Sequence, residues 1–114
     1  MTDFLQDYRD AVFEGVKNRT ANYSKYYDND SLFEEMKKWT TQEVKDKYID
    51  YYTPIELTVQ EISEDGDTIT VKTHEEFRVT YTKSSIKENV NKRDKVYTLK
   101  KTGNSFVITN LVTN

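Results

Sequence analysis

Thr53-Pro54-Ile55-Glu56-Leu57-Thr58-Val59-Gln60 is the stretch at which the chain changes its apolar period. Upstream, apolar side chains recur about every fourth residue, as on a helix. Within the stretch Ile55, Leu57 and Val59 alternate with Glu56, Thr58 and Gln60, the pattern of a half-buried strand. Proline cannot continue a helix, and it biases the residue before it toward extended geometry. The reading therefore gives one domain with a helical part, residues 1–53, and a sheet, residues 54–114.

Downstream, Glu64-Asp65-Gly66-Asp67 is a hairpin signal, because glycine accepts positive φ between two alternating runs. The next strand is long. Ile69, Val71, Thr73, Glu75, Phe77, Val79 and Tyr81 share one face; Thr70, Lys72, His74, Glu76, Arg78 and Thr80 share the other. Residues 83–93 read as a polar loop. Val96, Tyr97 and Leu99 begin a third strand, Thr102-Gly103-Asn104 turns, and Phe106 to Leu111 form a fourth that ends near the terminus, with an edge to protect.

Upstream, residues 3–17 form an amphipathic helix on Phe4, Tyr8, Val12 and Val16, widened by Leu5 and Ala11 and capped by Thr2 or Asp3. Residues 18–30 are polar around Tyr23, Tyr26 and Tyr27, and Asp28-Asn29-Asp30 ends the segment. Ser31-Leu32-Phe33-Glu34 is a capping box for a short helix to Lys38. Thr40 to Glu43 repeats the pattern and predicts a third helix to about Tyr52, with Val44, Tyr48 and either Ile49 or Tyr52 inward. Trp39 sits at the joint as a core anchor. The fold class is α+β: helices covering a curved four-stranded antiparallel sheet.

Composition excludes much. At 114 residues two cores would each be too small to fold comfortably. Charged residues reach 32%, but a net charge of −3 and 13% aromatics argue against disorder. The same charge gives no global pull toward nucleic acid. Zero cysteines exclude disulfides, thiolate catalysis and cysteine zinc sites, and a single histidine excludes a two-histidine metal motif. No cofactor is implied. No apolar run approaches the roughly 18–20 residues that span a bilayer. Met1-Thr2-Asp3-Phe4 lacks the basic and apolar regions of a secretory signal. That leaves a cytoplasmic protein, or a piece of a longer one whose membrane anchor lies upstream.

The long helix, short helices and long curved strands resemble the cone-shaped fold of the nuclear-transport-factor-2-like (NTF2-like) superfamily. A closer likeness runs through Val71 to Val79, Val96-Tyr97-Thr98-Leu99 and Gly103-Asn104-Ser105-Phe106-Val107-Ile108-Thr109-Asn110-Leu111. These resemble the C-terminal extracytoplasmic domain of the teicoplanin-resistance-associated (TcaA-like) membrane proteins of Gram-positive bacteria. Phe106 stands where tryptophan is the more usual residue. The resemblance implies a role in the cell envelope and carries over no catalytic residues.

The expected function is accordingly a non-catalytic binding or structural module, contacting a cell-wall component or an envelope protein. The alternative is a small-ligand pocket or enzyme of the same fold centred on Glu75, the one carboxylate on the apolar strand face. Tyr48, Tyr52, Tyr81 and Tyr97 are then its candidate neighbours, and a carboxylate in such a setting is suited to acid–base work. Against it, a bulge at Glu75-Glu76 turns the carboxylate outward, as long curved strands need bulges. Tyr23, Tyr26 and Tyr27 are candidates for a recognition surface. His74 reads as a solvated surface group, and Lys92-Arg93 and Lys100-Lys101 as a small basic patch. A homodimer through the sheet is a further expectation.

Overall fold

The computed structural model of the protein describes all 114 residues. Helix α1 spans Thr2–Asn18, a single 3-10 turn covers Ser24–Tyr26, and α2 spans Asp30–Lys38. One π turn, Trp39–Glu43, leads into the single turn α3, Val44–Asp46. Strands β1 (Ile49–Asp65), β2 (Thr68–Tyr81), β3 (Asn89–Thr102) and β4 (Ser105–Thr113) form an antiparallel meander in the order β1-β2-β3-β4. The sheet is open, and the helices lie on its concave side.

Helix α1 forms as its spacing predicts. Leu5, Tyr8, Val12 and Val16 are buried, each contributing about 1.5–3 kcal/mol by leaving water. No side chain caps its start; Asp3 in the first turn and Lys17 in the last complement the helix dipole instead. Arg19 ends the helix in the left-handed conformation, φ 57°. Its guanidinium donates to the carbonyls of Val16 and Ile49, tying the helix to the first strand. The cap of α2 is Asn29 rather than Ser31, its side chain accepting from the Leu32 amide at 3.0 Å.

The helical part ends earlier than Pro54. Tyr48 takes φ 59°, and β1 begins at Ile49, so the third helix expected to reach Tyr52 is one π turn and one α turn. Val44, Tyr48 and Tyr52 match a helical spacing, but Ile49-Asp50-Tyr51-Tyr52-Thr53 is rich in strand formers and pairs with β2. Pro54 lies inside β1, the free edge of the sheet, beside a register break, where a missing amide donor costs little. Residues 89–93, read as loop, already belong to β3.

The alternation expected along β2 holds. Ile69, Val71, Thr73, Glu75 and Val79 are buried, with Phe77 and Tyr81 half-buried. Both hairpins turn on glycines with positive φ, Gly66 at 62° and Gly103 at 57°. The free edge of β4 is covered: Asp28 N–H donates to the Ile108 carbonyl, and the Asn29 side chain donates to the Thr109 carbonyl, both at 2.9 Å. The core gathers in two clusters. One surrounds Tyr8, Tyr23, Tyr97 and Leu99; the other comprises Val16, Val44, Ile49 and Val79 with Trp39 against it. No helix is long and apolar enough to cross a membrane.

Candidate functional site

Because β2 and β3 are long and α1 covers only part of them, the concave face keeps an opening. A cleft of about 270 Å³ lies between α1, the π turn and the strands. Trp39, Tyr52, Phe77 and Tyr81 supply aromatic surface, and Asn91, Arg93 and Lys95 of β3 form a polar wall. Larger depressions occur at the α1–β1 groove, about 530 Å³, and near Phe4 and Phe106, about 450 Å³, but polar residues outnumber apolar ones in their linings. The cleft has the apolar lining with a few polar groups that suits a binding site.

A smaller cavity of about 100 Å³ continues behind the cleft and holds Glu75. The carboxylate faces inward and is 3% exposed. The bulge expected at Glu75-Glu76 is absent from β2; the break lies across the ladder, where Ile55 of β1 is the extra residue opposite the Glu76–Phe77 step. Glu75 Oε2 accepts from Thr73 Oγ1 and from Tyr97 OH, both at 2.7 Å, and Lys95 Nζ stands 3.4 Å from Oε1. Burial, then the neighbouring Glu75, pushes the Tyr97 phenol far up, so it stays a donor.

The other candidate tyrosines separate. Tyr52 and Tyr81 line the cleft, and burial pushes the Tyr52 phenol up to about 12. Tyr48 is 43% exposed and lies outside it, because its left-handed backbone turns the ring to solvent beneath the Lys83 ammonium, 3.6 Å from the ring centre. Tyr23 is not a surface group. It is fully buried, with its hydroxyl on the Met36 carbonyl at 2.9 Å and Thr40 Oγ1 at 2.7 Å. Tyr26 packs edge-on against Phe4 and Tyr8, and the Tyr27 hydroxyl bonds that of Tyr8. The three tyrosines are mainly packing residues between helices and sheet.

On the convex face the cross-strand register assembles a group that sequence order hides. His74 Nδ1 is 2.8 Å from Asp94 Oδ1, and Nε2 is 2.7 Å from Glu76 Oε2. Its ligand atom, with those of Glu56 and Glu76, lies within 4.8 Å of the others, a set of potential cation donors. His74 already forms an ion-pair ladder with Glu76 and Asp94, while Glu56 accepts from Thr58 Oγ1. Hydrogen bonding to Asp94, then to Glu76, raises the imidazole above its usual value. A raised folded value adds stability that is complete below about pH 6.5 and fades as pH rises through the folded value. The expected result is that His74→Gln flattens the melting temperature's dependence on pH above about 6.5. Thermal melts across that range check it; an unchanged slope would show the ladder contributes nothing.

A family model described as the TcaA protein NTF2-like domain matches residues 1–112. Among solved structures, the chain is similar to the crystal structure of the intermembrane space region of the chloroplast protein ARC6. The TM-score is 0.66 at 13% identity, covering 96% of this chain and 92% of that one. At that identity the likeness concerns the fold alone. No curated protein sequence matches.

Proposed function

Because the chain belongs to the family of TcaA protein NTF2-like domains, we propose that it is a non-catalytic, extracytoplasmic binding module of a membrane-anchored envelope protein. The resemblance read from residues 69–111 extends over 1–112, and the fold is α+β and NTF2-like. The cleft is the contact surface, and its ligand is a wall component or a protein partner.

One contrast supports this reading above others. The ionisable group best placed for acid–base work, Glu75, is engaged by Thr73, Tyr97 and Lys95 behind the cleft, whereas the aromatic cleft in front is open. A carboxylate so occupied is poorly placed to take a proton from a bound molecule, since its partners would have to release it first. Rigid aromatic walls bind well without chemistry, because few torsions are lost on contact.

The protein carries its own reporter. Trp39, the sole tryptophan, lines the cleft. Titration with solubilised peptidoglycan and with wall teichoic acid is expected to give a saturable change in Trp39 emission with one of them. The polymer is expected to be recovered intact. Trp39→Phe removes the signal while binding, followed by sedimentation, weakens only modestly. Unchanged emission with both polymers excludes wall recognition through the cleft, and cleavage of either excludes the non-catalytic assignment.

A further inference from the structure

Charge is distributed unevenly around the cleft. The chain carries 20 carboxylates and a net charge of −3, yet no Asp or Glu lines the cleft, and two cations do. These cations differ in state. Lys95 is engaged by Glu75 from behind. Arg93 is half-buried, and none of the ion pairs in the fold includes it. No aromatic ring takes its charge, and its one internal hydrogen bond is Nη1–H to the Lys92 carbonyl at 2.9 Å.

Its position follows from the ladder. Arg93 is the β3 partner of Glu75, on the concave side, so a strand position that would ordinarily carry an apolar residue puts a guanidinium in the cleft that Tyr52, Phe77 and Tyr81 also line. Partly desolvating a charge without a counter-ion works against folding. Such a guanidinium is preorganised for a compact anion, because its planar donors match two carboxylate or phosphate oxygens together. An ammonium held by a carboxylate, like Lys95, has little left to offer.

We propose that the cleft takes a ligand with an apolar or aromatic body against Trp39, Phe77 and Tyr81 and a compact anionic group, carboxylate or phosphate, paired with Arg93. This rests on the cleft being the binding surface, as argued above. Asn91, on the same wall, is placed to donate to the same anion.

Three probes of one shape test it: para-tert-butylbenzoate, para-tert-butylphenyl phosphate and the neutral para-tert-butylbenzamide. Each is titrated into the isotope-labelled domain, and the ring resonances of Phe77 and Tyr81 and the Arg93 side-chain N–H are followed. At least one anion is expected to bind about tenfold or more tightly than the amide. Arg93→Gln is expected to remove that advantage, bringing the anions to the level of the amide measured on the same variant, and Arg93→Lys to retain part of it. A preference for benzoate points to a chain-end carboxylate, and a preference for the phosphate to a phosphate-bearing ligand. Equal binding of all three probes, or an anion advantage that survives Arg93→Gln, overturns the inference and leaves the cleft standing as a site. If no probe shifts the cleft resonances, the cleft itself is lost as the contact surface.

Discussion

Tyr23→Ala is expected to lower stability by about 4 kcal/mol, a large part of what a domain of this size possesses. The side chain has no exposed surface. Its ring meets Phe33 and Tyr27 edge-on, with centroids 5.8 and 6.1 Å away. It also passes 3.1 Å from where a Cβ of Gly15 would sit, so α1 approaches this closely because residue 15 is glycine. Truncation removes the transfer energy of the ring and leaves a cavity between α1, α2 and the π turn, whose backbones cannot all collapse into it. Tyr23→Phe keeps the ring and is expected to cost only about 1 kcal/mol. The Thr40 hydroxyl still donates to the Met36 carbonyl, at 3.1 Å, after the tyrosine hydroxyl is gone. Urea unfolding of the three proteins separates the terms. A loss under about 0.5 kcal/mol for Tyr23→Ala would return this residue to the surface role that its polar neighbourhood suggests in the sequence.

That neighbourhood shows what a sequence conceals. In residues 18–30 Tyr23, Tyr26 and Tyr27 sit three and four apart, a spacing that also fits a continued helix, and what buries Tyr23 is instead the return of α2 and the π turn over it, a long-range event. Strand β2 was legible throughout, because a two-residue period over Ile69 to Tyr81 is demanded by a sheet with one buried face. The hairpins were legible for a local reason, the need for positive φ at Gly66 and Gly103. Pro54 misled because a residue excluded from helix interiors is also tolerated on an edge strand, and Tyr48, which makes the real reversal, carries no turn signature. The cleft was hidden for a related reason. Asn91 and Arg93 read as loop because they are polar, yet their strand runs past the end of the helical cover, where a polar inward face is tolerated. Register, which no single segment specifies, brought Asp94 to His74 and Lys95 to Glu75.

Lys95→Met is expected to destabilise the domain by about 3 kcal/mol at neutral pH, more than Glu75→Gln, at about 1–2 kcal/mol. The asymmetry comes from burial. Glu75 is 3% exposed and the Lys95 side chain 19%, so removing the lysine leaves an uncompensated carboxylate in the interior. Glutamine at 75 keeps a carbonyl oxygen for Thr73 and Tyr97, while the lysine left behind can reach water. Combining the two changes removes both charges together, and the double variant is expected to recover to near the level of Glu75→Gln. The resulting coupling, about 3 kcal/mol, is measured by urea unfolding of the four proteins as a double-mutant cycle. Vanishing coupling would show that the 3.4 Å approach does no structural work. A gain in stability for Glu75→Gln would be the sign of a carboxylate kept for chemistry at the expense of the fold, and would revive the enzymatic alternative. The expected losses instead make Glu75 a buttress: it holds Lys95 at the back of the cleft and leaves Arg93 as the cation of that wall free to meet a ligand.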